Sequence, residues 1–333
     1  MNEVLGHDSV RRRFTEALGR SRLHHGWLLH GATGIGKRML AGALAADYLC
    51  ERNRGTEQAR SACGECHACR MMEAGSHPDF LLVERQWDDK KKRLKRDVSI
   101  DQVRDMLGFL SLSGSESARR VALIADAGRL NTQAANAMLK GLEEPSAGSL
   151  MLLVCEDALA LPATVRSRCL LQFLSPLNAV DMQVVLDGMQ IPAEAMAFAA
   201  QLADGQPGKV AALSDPSLAS ALLAWHDLLA VPELANMDVG RVQQWISRHV
   251  QQVPHELIVA TVLAALRPAL LQSGKLQLPG ASMDAVLDAA RRLAAWPQEL
   301  IRRTLRPAPT LLAHMMALRL ALRDARSENA RAA

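Results

Sequence analysis

The sequence predicts an α/β domain with a mostly parallel sheet, followed by a C-terminal half that is almost entirely helical. Short apolar runs alternate with amphipathic helices as far as about residue 170, a pattern typical of parallel sheets. A glycine-rich loop follows the first apolar run and opens an Ala/Leu-rich helix. After Pro176 helical periodicity dominates. A chain of 333 residues has room for two or three such domains.

Composition narrows the class of protein. Hydrophobic residues make up 49% of the chain, yet no apolar run is long enough to span a bilayer. The N-terminus does not resemble a signal peptide, so we expect a cytoplasmic protein with no membrane partner. A net charge of +4 and an aromatic content of 3% give little support to a nucleic-acid binder. Six cysteines in such a protein indicate metal binding or reactivity rather than disulfides.

The glycine-rich loop has the pattern of a P-loop, which cradles the phosphates of a nucleotide. Gly31, Gly34 and Gly36 allow backbone N–H groups to turn toward an anion at the start of a helix. Lys37 would reach the β- and γ-phosphates. Arg38 stands where the pattern has Ser or Thr to hold Mg²⁺, and a guanidinium has no acceptor for a metal.

A second part of the nucleotide site is also altered. Asp126 follows the apolar run 121–125, where a carboxylate would support Mg²⁺. Ala127 comes next, and no Glu nearby could activate water, although Glu156 or Asp157 could in principle intrude. We therefore predict a degenerate site. ATP or ADP binding without hydrolysis is one outcome, and a P-loop kept only as a tight turn is the other.

Four cysteines in a polar stretch predict a structural zinc site. Cys50, Cys63, Cys66 and Cys69 have the C-x2-C spacing that lets paired thiolates reach one ion, and four sulfurs close its coordination shell. His67 could replace one sulfur, though its place between two ligands is awkward. Scattered reduced thiols and a redox C-x-x-C pair are the weaker alternatives.

A charged run covers residues 84–97, with Lys90-Lys-Lys-Arg93 at its centre. Such runs are usually solvated loops, and a DNA-contacting loop is the alternative. Apolar runs predict strands at 27–29, 80–83, 121–125 and 150–154. Helical periodicity predicts helices at 4–20, about 38–49, 99–110, 131–144, 178–189 and 192–203.

Three stretches together resemble the bacterial clamp-loader subunits of the AAA+ class, and most closely the delta-prime group of DNA polymerase III. They are 22–31, 131–145 and Ser167-Arg-Cys169. Members of that group resemble ATPases but have lost hydrolysis, which would explain the altered P-loop. The resemblance implies three domains: an AAA+-like P-loop domain at 1–170 with a zinc module at about 50–70, a three-helix lid at 171–210, and a helical collar at 211–333.

The resemblance also implies a role for one arginine. In that family the Ser-Arg-Cys segment carries an arginine finger that acts in trans on a neighbouring nucleotide site. The resemblance assigns this role to Arg168, and Arg166 is the alternative candidate nearby. A lid arginine found in active members is replaced by Gly208. We expect no intrinsic ATPase activity, in a chain that forms part of a DNA-directed DNA polymerase (a nucleotidyltransferase holoenzyme).

The partners implied are sister clamp-loader subunits in a hetero-pentameric ring, with the sliding clamp and primed DNA reached through that complex. Two other functions are left open. One is a working AAA+ ATPase, which Arg38 and Ala127 argue against. The other is a zinc-dependent nucleic-acid-binding module, which the four-cysteine cluster and the basic run favour and the modest net charge disfavours.

Overall fold

A computed structural model describes residues 4–89, 93–112, 119–229, 236–272, 275–276 and 280–332. The chain divides into two compact units, Met1–Met182 and Gln183–Ala333. Among the described helices, none combines the length and the apolar character needed to cross a membrane. The three lysines Lys90, Lys91 and Lys92, at the centre of the predicted basic run, lie outside the described residues.

The first unit is built on a parallel sheet. Its strands and those of a small hairpin are β1 (Gly26–Gly31), β2 (Phe80–Val83), β3 (Trp87–Asp88), β4 (Arg93–Leu94), β5 (Arg120–Ile124), β6 (Ser149–Cys155) and β7 (Leu170–Leu174). Within the described residues the sheet has five strands in the order β2-β5-β6-β1-β7, all paired in parallel. Strands β3 and β4 form a separate antiparallel pair. The parallel sheet predicted from the alternation of strands and helices is confirmed.

Helices cover both faces of this sheet. They are α1 (Asp8–Gly19), α2 (Lys37–Leu49), α3 (His67–Glu73), α4 (Ile100–Ser111), α5 (Thr132–Glu143) and α6 (Ala163–Arg166). Successive residues of β1 alternate between two cores, because side chains alternate along a strand. Trp27 and Leu29 pack with apolar residues of α1 and α2. Leu28 packs on the opposite face with residues of α4 and α5.

The strand order decides where a site can form. Strand β1 lies between β6 and β7, so the P-loop leaves the sheet one strand in from the β7 edge. The N–H of Gly31 donates to the carbonyl of Glu156, just beyond β6, at 3.1 Å. Residues after the carboxyl ends of neighbouring parallel strands therefore converge at one edge, where open α/β sheets bind their ligands.

The second unit is mainly helical in the part of the chain that the structure describes. It contains most of α7 (Ala179–Asp187), then α8 (Ala193–Ala203), α9 (Pro216–Leu229), α10 (Val239–His249), α11 (His255–Leu270), α12 (Gly280–Arg303) and α13 (Pro307–Ala332), with a short pair of strands, β8 (Leu271–Gln272) and β9 (Lys275–Leu276). Trp225 and Trp245 stack with ring centroids 4.4 Å apart, and each indole N–H donates to a backbone carbonyl. These tryptophans are packing residues of the helical core.

In the described part of the first unit, strand β7, the β3–β4 hairpin and the short helices α3 and α6 were not predicted. Strand β7 follows directly on the Ser-Arg-Cys segment and forms the sheet edge beside β1. The β3–β4 hairpin lies in the charged run. The division of the helical half into a lid at 171–210 and a collar at 211–333 stays a prediction.

Candidate functional site

The P-loop lies between β1 and α2, and its backbone depends on glycine. Gly31, Gly34 and Gly36 have backbone φ angles of 150°, 78° and 89°. Residues other than glycine rarely adopt such positive values. A Cβ at Gly31 would stand 2.3 Å from the carbonyl oxygen of Leu174 on the edge strand. The loop also contacts the N-terminal segment. The side chain of Ile35 is buried, and its carbonyl lies 2.8 Å from His7 Nε2.

Lys37 turns back onto its own loop. Its Nζ donates to the carbonyl oxygens of Gly31 at 2.9 Å and Ala32 at 2.7 Å, and the residue is only 8% exposed. Burial lowers the pKa of its ammonium group from the ordinary lysine value, with Glu156 opposing the shift. A phosphate would therefore meet a lysine that already has two acceptors, and binding would require exchange of those bonds.

Both positions that would support Mg²⁺ are held in ion pairs. Arg38 contacts Glu84, and Arg85 Nε donates to Asp126 Oδ2 at 2.8 Å. Glu84 and Arg85 are the two residues that follow β2. The Gln102 side chain, in the first turn of α4, donates to the Glu84 carbonyl at 2.7 Å, which fixes the backbone there.

The two ion pairs change what this edge of the sheet can do chemically. Asp126 faces a guanidinium where an active site would offer it to a metal shell. Arg38 brings a second positive charge to the position of a metal-ligating hydroxyl. All four side chains are between 29% and 57% exposed, so each pair contributes little to stability. Their effect is on the ligand chemistry of the site.

Sequence reasoning identified Arg38 and Asp126 but missed their partners. The available signal was positional: Glu84 and Arg85 come directly after the predicted strand 80–83, and carboxyl ends of parallel strands meet at one edge. Glu156 lies at the same edge, where its carbonyl accepts from Gly31. Asp157 instead caps the short turn that follows, accepting from the N–H of Leu159 at 2.8 Å.

The four predicted cysteines come together beyond α2. The Sγ atoms of Cys50, Cys63, Cys66 and Cys69 all lie within 4.8 Å of one another. Cys50 and Cys66 are 4.0 Å apart at sulfur, and Cys63 and Cys69 are 3.9 Å apart. Four sulfurs at ~2.3 Å from one zinc ion in a tetrahedron would be about 3.8 Å apart. The residues present therefore fit a structural zinc ion, and His67 begins α3 outside this group.

Backbone N–H groups around the cluster favour thiolate. The N–H of Cys66 donates to Cys63 Sγ at 3.4 Å, and the N–H of Cys69 donates to Cys66 Sγ at the same distance. The N–H groups of Cys66 and Glu65 lower the pKa of the Cys63 thiol to about 6. Burial raises the pKa of Cys50 and of Cys69, so those two thiols need the charge of a metal to ionise near neutral pH.

Arg168 lies between α6 and β7 and bonds to its own chain. Its Nη2 is 2.8 Å from Glu143 Oε1, at the end of α5. Its Nη1 donates to the carbonyl of Thr164 at 3.0 Å and to Ser167 Oγ at 3.4 Å. The side chain is 37% exposed and Glu143 is 49% exposed. Gly208, where the resemblance implies that a lid arginine is replaced, lies in a short turn at Pro207–Lys209 in the second unit.

Comparison with known proteins matches mainly the first unit. The family described as DNA polymerase III, delta subunit matches residues 6–178, which is more than half of the chain. The DNA polymerase III subunit delta' of Pseudomonas aeruginosa is 39% identical over 191 residues, covering 57% of this chain and 55% of that protein. The subunit delta' of Yersinia pestis is 34% identical over 243 residues, covering 68% of each.

The match to the P. aeruginosa relative spans about half of that protein's length. A solved structure, a DNA polymerase III gamma subunit-related protein of Thermotoga maritima, is 15% identical with a TM-score of 0.49, covering 95% of this chain and 99% of that one. On the profile match and the sequence identities, the chain belongs to the family of DNA polymerase III delta-prime subunits.

Proposed function

We propose that the chain is a non-hydrolysing subunit of the clamp loader of DNA polymerase III and that it lends Arg168 to the ATP site of a neighbouring subunit. It would work in the cytoplasm, within a hetero-pentameric ring of sister subunits that loads the sliding clamp onto primed DNA. Membership of the delta-prime family supports the replication role. The arrangement around the P-loop supports the loss of hydrolysis.

The observation that carries this proposal is the pair of contacts made by Glu84 and Arg85. Glu84 forms an ion pair with Arg38, and Arg85 forms one with Asp126. Each of the two positions that would hold Mg²⁺ is therefore engaged with a side chain instead of a metal. Magnesium organises the phosphates and neutralises developing charge in phosphoryl transfer. A chain that cannot place Mg²⁺ beside its own P-loop would bind ATP weakly or hold it without turnover.

Arg168 has the properties that a finger in trans requires. It is partly exposed, and its present partners are a half-exposed carboxylate and acceptors of its own turn. An exposed ion pair of this kind is worth roughly 0–1 kcal/mol, so a neighbouring triphosphate would compete with it readily. A guanidinium that reached such a phosphate would stabilise charge in the transition state.

The zinc site completes the proposal as a structural element. The four thiols would hold Zn²⁺ and keep the polar stretch after α2 folded. With four sulfurs bound, the ion has no open position for substrate, and we assign it no catalytic step.

A nucleotide titration of the isolated chain tests the proposal. ATP binding is measured with and without Mg²⁺, and turnover is measured on the same preparation beside Lys37→Ala. We expect no turnover above the level of Lys37→Ala. Magnesium-dependent turnover that Lys37→Ala abolishes would show a working ATPase and overturn the proposal.

One observation favours a second candidate, direct contact with nucleic acid. Trp87 is 54% exposed on the β3–β4 hairpin, opposite Leu94, which is 47% exposed. Residues 90–92 of the basic run lie between the two strands in the sequence, and an exposed aromatic ring can stack on a base. Binding of single-stranded DNA by the isolated chain, weakened by salt and by Trp87→Ala, would support this candidate. Absence of such binding at low salt would remove it.

A further inference from the structure

A buried carboxylate joins the proposed zinc module to the rest of the first unit. Asp47 has no exposed surface and lies one turn before Cys50 in α2. Its Oδ2 accepts from Arg11 Nε at 2.8 Å, and its Oδ1 accepts from Arg11 Nη2 at 2.7 Å. The same Oδ1 accepts from the N–H of Ala62 at 2.6 Å, so one carboxylate holds both α1 and the residue that precedes Cys63.

A second side chain holds the same stretch from within. Asn53 Nδ2 donates to the carbonyls of Asp47 at 2.9 Å and Arg60 at 2.6 Å. Its Oδ1 accepts from the N–H of Arg60 at 3.0 Å. The chain between Cys50 and Cys63 is thus folded back on the end of α2 by polar contacts at both ends.

These contacts matter because most of the stretch is exposed to solvent. Glu51, Arg52, Arg54, Gly55, Glu57, Gln58, Arg60 and Ser61 are all exposed. Hydrogen bonds to a buried charged group are among the stronger ones in proteins, and a carboxylate without exposed surface must be fully compensated. Asp47 meets that need with Arg11 and Ala62 together.

We propose that Asp47 is a positioning residue for the metal site. Its bond to Ala62 sets Cys63 beside Cys50 before metal arrives, so that the ion binds a prearranged set of thiols. Its bond to Arg11 connects the same site to α1. This inference rests on the proposed zinc site, and it adds that zinc affinity depends on a residue that contributes no ligand atom.

The test separates the bond to Ala62 from the bond to Arg11. In the double variant Arg11→Met/Asp47→Leu neither charge of this pair remains, and apolar replacement of a buried pair is often neutral for folding. The N–H of Ala62 nevertheless loses its acceptor. In the matched control Arg11→Lys a cation remains beside Asp47, and the bond to Ala62 is untouched.

Zinc affinity is measured for each full-length protein by competition with a chromophoric chelator. Thermal unfolding of the zinc-free proteins is recorded beside it. We expect the double variant to bind zinc about tenfold or more weakly, in the range seen when groups that orient metal ligands are removed. We expect Arg11→Lys to bind as the wild type does.

Three results would contradict the proposal in distinguishable ways. Wild-type affinity in a folded double variant would show that Asp47 does not position the site. An equal loss in Arg11→Lys would place the effect in the α1 contact instead of the Ala62 bond. A wild-type protein that takes up no zinc with four reduced thiols would overturn the metal site itself, and this inference with it.

Discussion

Arg85 Nε donates to Asp126 Oδ2 at 2.8 Å, across the edge of the sheet where β2 and β5 end. The neighbouring residue, Glu84, pairs with Arg38. Two consecutive residues after β2 therefore form ion pairs with both positions that would support a metal. Arg85 pairs with the carboxylate of Asp126, and Glu84 pairs with Arg38, which replaces the usual hydroxyl residue. These two contacts would leave a loop that has the glycines and the lysine of a nucleotide site without the means to place a metal.

Removal of these pairs should restore sensitivity to magnesium without restoring turnover. In Arg38→Thr/Arg85→Met, a hydroxyl replaces the guanidinium and Asp126 loses its partner. We expect Mg²⁺ to raise ATP affinity by about tenfold, equivalent to ~1.4 kcal/mol, while wild-type affinity changes little with Mg²⁺. The measurement is equilibrium binding of ATP with and without the cation. A wild-type protein that already needs Mg²⁺ for binding would contradict the interpretation of the ion pairs.

The P-loop glycines should differ in their contribution to stability. Gly31→Ala would place a Cβ 2.3 Å from a backbone oxygen of the edge strand, so we expect a loss of about 2–3 kcal/mol in the free energy of unfolding. Gly36 also has a positive φ, but no heavy atom lies within 4 Å of the added Cβ, so Gly36→Ala should cost about 1 kcal/mol. Urea unfolding measures both. Equal losses would show that crowding against β7 is unimportant.

His25 should make stability depend on pH. Burial lowers its pKa below the ordinary histidine value, and its Nε2 lies 2.9 Å from the Leu142 carbonyl. The unfolded chain then binds a proton more readily than the folded one, so stability falls as pH drops from about 7 through the unfolded pKa of about 6.5. In His25→Gln, the free energy of unfolding should fall less steeply between about pH 7 and about pH 5. Parallel curves for the two proteins would contradict the assignment to His25.

Zinc removal should destabilise the protein only when all four thiols are present to bind the ion. A strong chelator should lower the wild-type melting temperature by at least about 2 °C, since ~1 kcal/mol corresponds to about 2–4 °C in a domain of this size. In Cys63→Ser the same chelator should have no effect, because the site would already be incomplete. Differential scanning calorimetry measures the shift. A wild-type protein that is indifferent to the chelator, yet contains zinc by metal analysis, would place the ion elsewhere.

The sequence was most informative where a residue pattern is typical of a single kind of structure. The P-loop glycines and the cysteine spacing identified both candidate sites, and the buried strands at 80–83, 121–125 and 150–154 match β2, β5 and β6 to within about one residue at either end. Strands β5 and β6 are buried along their whole length, so their apolar composition alone identifies them, whereas β2 is an edge strand of mostly intermediate burial. The fold class of the first unit follows from their alternation with helices.

What the sequence could not supply is spatial pairing between distant residues. Strand β7 is a half-exposed edge strand, so it lacks the uniform apolar composition of the inner strands. Arg38 and Glu84 are far apart in the chain, and their contact depends on the order of strands in the sheet, which local periodicity does not specify. The same holds for Asp47 and Ala62, whose bond forms only when the polar stretch folds back on α2.

We propose above all that Arg168 of this chain acts on the nucleotide of a neighbouring subunit. The most direct measurement is DNA-stimulated ATP hydrolysis by the reconstituted clamp loader carrying Arg168→Ala, with Arg166→Ala as the matched control and ring assembly checked by gel filtration. An arginine finger is worth ~10³–10⁵ in rate at the site it serves. We expect Arg168→Ala to abolish ATP hydrolysis at one neighbouring site in an intact ring. Arg166→Ala should leave hydrolysis unchanged. Full hydrolysis with Arg168→Ala in an assembled ring would contradict it.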